Sequence, residues 1–119
     1  MQKIDQLRIR KRASATGTSP DYVRTDRVPA GQLWCIQHIA YENETGARGT
    51  FRRLIEGHGY EHFLGEHPSP GAGELITWNG ELWLMPGEDM AVRQATCTAA
   101  DALALYATGY IIFTDLIEV

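Results

Sequence analysis

Two proline–glycine turns, each fused to an apolar run, constrain this chain more than any other feature. One reads Val28-Pro29-Ala30-Gly31-Gln32-Leu33-Trp34-Cys35-Ile36, the other Leu82-Trp83-Leu84-Met85-Pro86-Gly87-Glu88-Asp89-Met90. Proline presets φ at the second position of a turn, and glycine takes backbone angles that other residues resist. Such turns fix where a strand starts or stops. They are framework and carry no catalytic chemistry, which directs attention to a shaped, assembling protein.

From Val28 onward the chain reads as all-β. Strands are expected over 33–41, 50–56, 74–78, 81–85, 90–97 and 103–113, with a shorter segment at 60–64. Turns fall at 42–47, 57–59, Asn79-Gly80, 86–89 and 98–101, and 65–73 reads as a loop. Helix-forming residues over 99–108 run directly into the β-prone Gly109-Tyr110-Ile111-Ile112-Phe113, so a strand from Leu103 is expected there. Short strands separated by turn signals at this spacing suggest a sandwich or barrel, and an antiparallel β-sandwich is the expectation, which the resemblance given below narrows to a jelly roll. A chain of 119 residues is one domain, able to bury roughly two-thirds of its unfolded surface.

The charge is unevenly distributed. Residues 1–27 hold seven of the eleven Lys and Arg against three Asp, a net +4, whereas 28–119 carry −8. The stretch 13–21 is small, polar and proline-bearing and reads as a linker. The expectation is therefore an extended basic N-terminal arm over 1–27 and a β-sandwich over 28–119. A basic end on an acidic body suits electrostatic docking, with Arg8, Arg10, Lys11 and Arg12 as its contacts. Two strands are apolar on both faces, 33–41 and 103–113; in the first, strict alternation puts Leu33, Cys35, Ile39 and Tyr41 on one face and Trp34, Ile36 and Ala40 on the other. A sandwich strand open to water on one side should alternate apolar with polar. The surplus implies a further cover, and Trp34, Tyr41 and Tyr110 are the aromatic candidates for partner contact.

Catalytic and metal-binding patterns are weak. Cys35 and Cys97 form no CxxC pair and read as buried thiols of a reducing compartment. His58, His62 and His67 lie in a glycine-bearing segment; on a strand, His58 and His62 would be about 13 Å apart, too far to share one ion. Polar surface is the default there, and no metal or cofactor is expected. No serine sits in a G-x-S-x-G elbow, no two of the scattered acids stand out as a carboxylate pair, and Gly71-Ala72-Gly73 lacks the Lys-Ser/Thr of a phosphate loop. The acidic body opposes nucleic-acid binding through Arg8–Arg12, no apolar run approaches the length of a membrane span, and the charged N-terminus does not read as a signal peptide. The chain is expected to be soluble and not an enzyme.

The order Val28-Pro29-Ala30-Gly31-Gln32-Leu33-Trp34, then Leu82 through Val92, then Ala100-Asp101 and Gly109-Tyr110-Ile111-Ile112 resembles small structural proteins of tailed-bacteriophage virions. These are jelly-roll or related β-sandwich modules of head decoration, neck or fibre base. The likeness covers about 28–113; similar turns also occur in tumour-necrosis-factor-like and cupin-like jelly rolls. It implies a virion component, assembled in the host cytoplasm, that decorates or cements a capsid, with a head–tail connector or fibre-base role as the alternative. Its implied partner is a major capsid or connector protein, together with further copies of itself. A cupin-like or carbohydrate-binding module using the segment from His58 to His67 is the competing class.

Overall fold

The structure, a computed structural model, describes residues 3–17, 21–44, 50–57, 60–68, 74–94 and 99–114, with backbone alone at 50–54, 56, 57, 60, 61, 67 and 68. Eight strands form it: β1 (Lys3–Ser14), β2 (Asp21–Arg24), β3 (Gln32–Asn43), β4 (Thr50–Gly57), β5 (Tyr60–Pro68), β6 (Ile76–Leu84), β7 (Asp89–Gln94) and β8 (Ala102–Phe113). They make two four-stranded sheets, β1-β8-β3-β6 and β2-β7-β4-β5, with every pair antiparallel. The pairs β1·β8, β2·β7, β3·β6 and β4·β5 are nested, as in one long hairpin rolled up so that β8 also meets β3 and β7 also meets β4. That is the jelly-roll order, and the all-β sandwich expectation holds.

The core lies between the sheets. β3 contributes Trp34, Ile36, Ile39 and Tyr41, β6 contributes Ile76, Leu82 and Leu84, β8 contributes Leu103 and Leu105, and β7 contributes Met90 and Val92, all buried. Each large side chain of this kind stabilises the fold by roughly 1.5–3 kcal/mol through burial. Two hydrogen bonds pair buried polar side chains, the first of them across the sandwich. The Tyr41 hydroxyl donates to Gln94 Oε1, and Asn43 Nδ2 donates to Asp101 Oδ2 at 3.0 Å.

The two proline–glycine turns meet. The Gly87 N–H donates to the Val28 carbonyl (2.8 Å) and the Val28 N–H to the Glu88 carbonyl (2.9 Å). Within the second turn, the Glu88 N–H reaches the Met85 carbonyl at 3.0 Å while Gly87 holds φ at 87°. Proline at the second position and a left-handed glycine at the third define a type II turn. The first turn closes with the Gln32 N–H on the Pro29 carbonyl (3.3 Å) and Gly31 at φ 80°.

Four expectations are corrected. First, the basic residues 1–27 are not a detached arm over their described part: β1 is the edge strand of one sheet and β2 the edge strand of the other. The reason is visible in β1, where Leu7, Ile9 and Ala13 alternate with Gln6, Arg8, Arg10 and Arg12, so one face packs on the core while charge occupies the other. Second, Asn79-Gly80 is not a hairpin turn but part of continuous β6. Third, β5 runs through 65–68, where a loop was expected. Fourth, the two faces of β3 divide differently. Gln37 is an extra residue between Ile36 and His38 relative to β8, a β-bulge that reverses the alternation. Trp34, Ile36, Ile39 and Tyr41 therefore all face the core, and Leu33, Cys35, His38 and Ala40 face outward.

Candidate interaction face

Residues paired directly across an antiparallel ladder lie on one face of the sheet, so the registers lay out the outer surface of β1-β8-β3-β6 row by row. The first row is Ile4, Ile112 and Leu33, continued by Met85 one residue beyond the Trp34–Leu84 pair. The second is Gln6, Tyr110, Cys35 and Trp83, the third Arg8, Thr108, His38 and Asn79, and the fourth Arg10, Tyr106, Ala40 and Thr77. Arg12, Ala104 and Glu42 follow.

One end of this face is apolar and open to solvent. Ile4 is 63% exposed, Met85 54% and Trp83 42%, with Leu33, Ile112 and Tyr110 half-buried beside them. Scattered exposed apolar residues need no explanation, but a contiguous group marks contact surface. Trp83 and Tyr110 brace one another edge to face, their ring centroids 5.8 Å apart and their planes at 88°. The Tyr110 hydroxyl is held above its ordinary pKa, first by its hydrogen bond to Cys35, then by partial burial and by the neighbouring Cys35 and Glu81. Cys35 is buried beneath this cover and is not in a disulfide.

The other end is basic along β1. Arg8, Arg10 and Arg12 project from it at every second residue and are exposed. Arg10 lies over the Tyr106 ring at 6.0 Å, and Arg12 pairs with Glu44 at 3.0 Å. These exposed contacts contribute little stability each. They hold the guanidinium groups in a row with tolerance for rearrangement.

The residues expected to bind a partner divide accordingly. Arg8, Arg10, Arg12 and Tyr110 share the outer face. Lys11 belongs to the opposite face of β1 and pairs with Asp26 at 2.9 Å. Trp34 and Tyr41 are corrections: both are core residues, 8% and 1% exposed, because the bulge at Gln37 turns both halves of β3 inward. Trp34 donates its indole N–H to Gln32 Oε1 at 2.9 Å. Sequence reasoning missed Ile4, Trp83, Met85 and Glu81 as face residues; the signal that would have found them is the register linking β1 to β6 through two intervening strands.

His62 is exposed on β5. His58 and Cys97, together with the His67 side chain, lie outside the described residues. Among the described residues no three His, Cys, Asp or Glu are grouped to hold a metal ion, and no helix is long and apolar enough to cross a membrane.

No protein-family model matches the chain, and no curated protein matches it. Among solved structures it is similar to a chain in the structure of infectious bursal disease virus Gx strain, with a TM-score of 0.52 at 7% identity, over 99% of this chain and 34% of that one. This chain thus spans about a third of the viral chain's length. Likeness at that identity shows the fold alone.

Proposed function

We propose that this chain is a virion structural protein that acts by docking and not by catalysis. The observation that carries the reading is the outer face of β1-β8-β3-β6, where a complete two-layer jelly roll leaves contiguous apolar rows uncovered beside a row of guanidinium groups. A sandwich that needed only to fold would set polar residues there. The fold likeness to a chain of a virus structure and the resemblance of its strand-and-turn units to tailed-phage virion proteins support the same class.

Within that class the role is capsid decoration or cementing, with the major capsid protein as partner and a head–tail neck or fibre-base position as the alternative. Arg8, Arg10 and Arg12 supply the charge contacts, which salt weakens when they are exposed. The location is the assembled particle, formed in the host cytoplasm. The test is to tag the chain in its native host and fractionate the lysate by sedimentation. Recovery in particle-sized fractions, reduced by Arg8→Ala/Arg10→Ala/Arg12→Ala, supports the reading; recovery only as free small protein overturns it.

A further inference from the structure

The apolar end of the face also says what covers it. Arg8 on β1 and Glu81 beside the β6 residues Asn79 and Trp83 are both exposed, and neither forms an ion pair among the described residues. Glu81 belongs to the outer surface: it adjoins the inward Leu82 and its charge bears on Tyr110. β1 and β6 are the two edges of one sheet, three strand spacings or about 14 Å apart, so the two charges stand on opposite edges of the face, where its apolar end gives way to Thr108, His38 and Asn79.

A face with unlike charges on opposite edges and apolar rows alongside them is complementary to itself. A two-fold axis lying in the plane of contact, parallel to the strands and between β8 and β3, sets β1 of one copy over β6 of the other. Ile4 then meets Met85 of the second copy, Ile112 meets Leu33, Gln6 meets Trp83, and Arg8 approaches Glu81 twice, once on each side of the axis. Sheets stacked in this way are about 10 Å apart, a gap that an arginine and a glutamate reach across. By the same operation Arg10 comes opposite Thr77 of the second copy, at the edge of the contact, with Arg12 one row further out.

One edge-to-edge alternative, β1 to β1 in one continuous sheet, is opposed by the same strand. Antiparallel pairing of β1 with itself about Arg10 sets Arg8 against Arg12 and Arg10 against its own copy, and like charges directly opposite destabilise a strand pair.

We propose that this chain self-associates face to face as a two-fold pair through the apolar end of the β1-β8-β3-β6 sheet, with reciprocal Arg8–Glu81 ion pairs fixing the register. The pairing occupies the face and the Arg8 side chain that the docking reading also uses, but it does not depend on the virion reading.

The test is sedimentation equilibrium of the full chain over a concentration series. The wild type is expected at the mass of two chains. Arg8→Glu and Glu81→Arg should each weaken association about tenfold or more, because each places like charges at both symmetric contacts. The combined variant Arg8→Glu/Glu81→Arg should recover it. Ile4→Glu/Met85→Glu changes only exposed side chains and should give a folded single chain, checked by circular dichroism. A wild type that sediments as one copy throughout, single reversals without effect, or a combined variant that fails to recover would each overturn the pairing. A chain that is single in solution yet present in particles overturns it and leaves the virion reading standing.

Discussion

Gly109 is pressed against Cys35: a Cβ on Gly109 would lie 1.8 Å from the Cys35 carbonyl oxygen and 3.0 Å from the Ile36 Cα. The glycine stands where β8 passes the bulge of β3, and the bulge brings the neighbouring backbone into the space a side chain would take. Glycine within a strand is otherwise unfavourable. Gly109→Ala should therefore destabilise the fold, by about 2–4 kcal/mol, instead of giving the usual small gain. Urea unfolding measures this; an alanine variant as stable as the wild type would show that the two strands do not approach so closely.

Gly87 poses a different constraint, because its φ of 87° belongs to the left-handed region. Gly87→Ala should cost about 1–2 kcal/mol. The loss should be local in origin yet lower the melting temperature of the whole sandwich, since this turn is hydrogen-bonded to Val28 in the other. Thermal unfolding showing no decrease would contradict the type II assignment.

Tyr41 buries its ring in the core and donates its hydroxyl proton to Gln94 on the facing sheet. Tyr41→Phe keeps the ring and deletes the donor, with an expected loss of about 1–2 kcal/mol. Chemical denaturation of the two proteins side by side decides it, and equal midpoints with equal slopes would mean the bond contributes nothing.

Asp89 is the group from which a pH response is expected. Burial raises its carboxyl above the ordinary value of 3.8, while Arg24, with a guanidinium nitrogen 4.0 Å from Oδ1, and Arg27 pull it back. A carboxyl raised on folding binds its proton more tightly in the folded state, so its contribution favours folding below about 3.8 and fades as pH climbs through the raised value. Relative to the wild type, Asp89→Asn should gain stability over that rise and then hold level. Unfolding free energies of both proteins from acid to neutral pH provide the check. A difference that does not change with pH would mean that Asp89 has the same affinity for its proton in both states.

The strands around the two proline–glycine turns were legible because turn chemistry and β-branched, aromatic runs are local signals. The strand from Leu103 was legible for the same reason, despite its helix-forming alanines. β1 was not. Four of its residues, Arg8, Arg10, Lys11 and Arg12, dominated its composition and masked the shorter series Leu7, Ile9 and Ala13 that faces the core. The inward placement of Trp34 and Tyr41 was likewise hidden, because one unpaired residue, Gln37, decides the phase of β3, and a bulge depends on the neighbouring strand. The interaction face is the least local feature of all. Ile4, Ile112, Leu33 and Met85 come from four separate parts of the chain and become one surface only once the registers are set.

The pairing of β1 with β8 has a consequence for the order of events during synthesis. Among the described strands, the first has its sheet partner in the last, so β1 leaves the ribosome with an exposed backbone ladder and stays without that partner until β8 has been made. An unpaired strand waiting in that state is a template for pairing with strangers. Its alternate arginines repel other nascent copies of the same segment over that interval, so a charge pattern that marks the finished surface also acts as the chain's chaperone against itself before that surface exists.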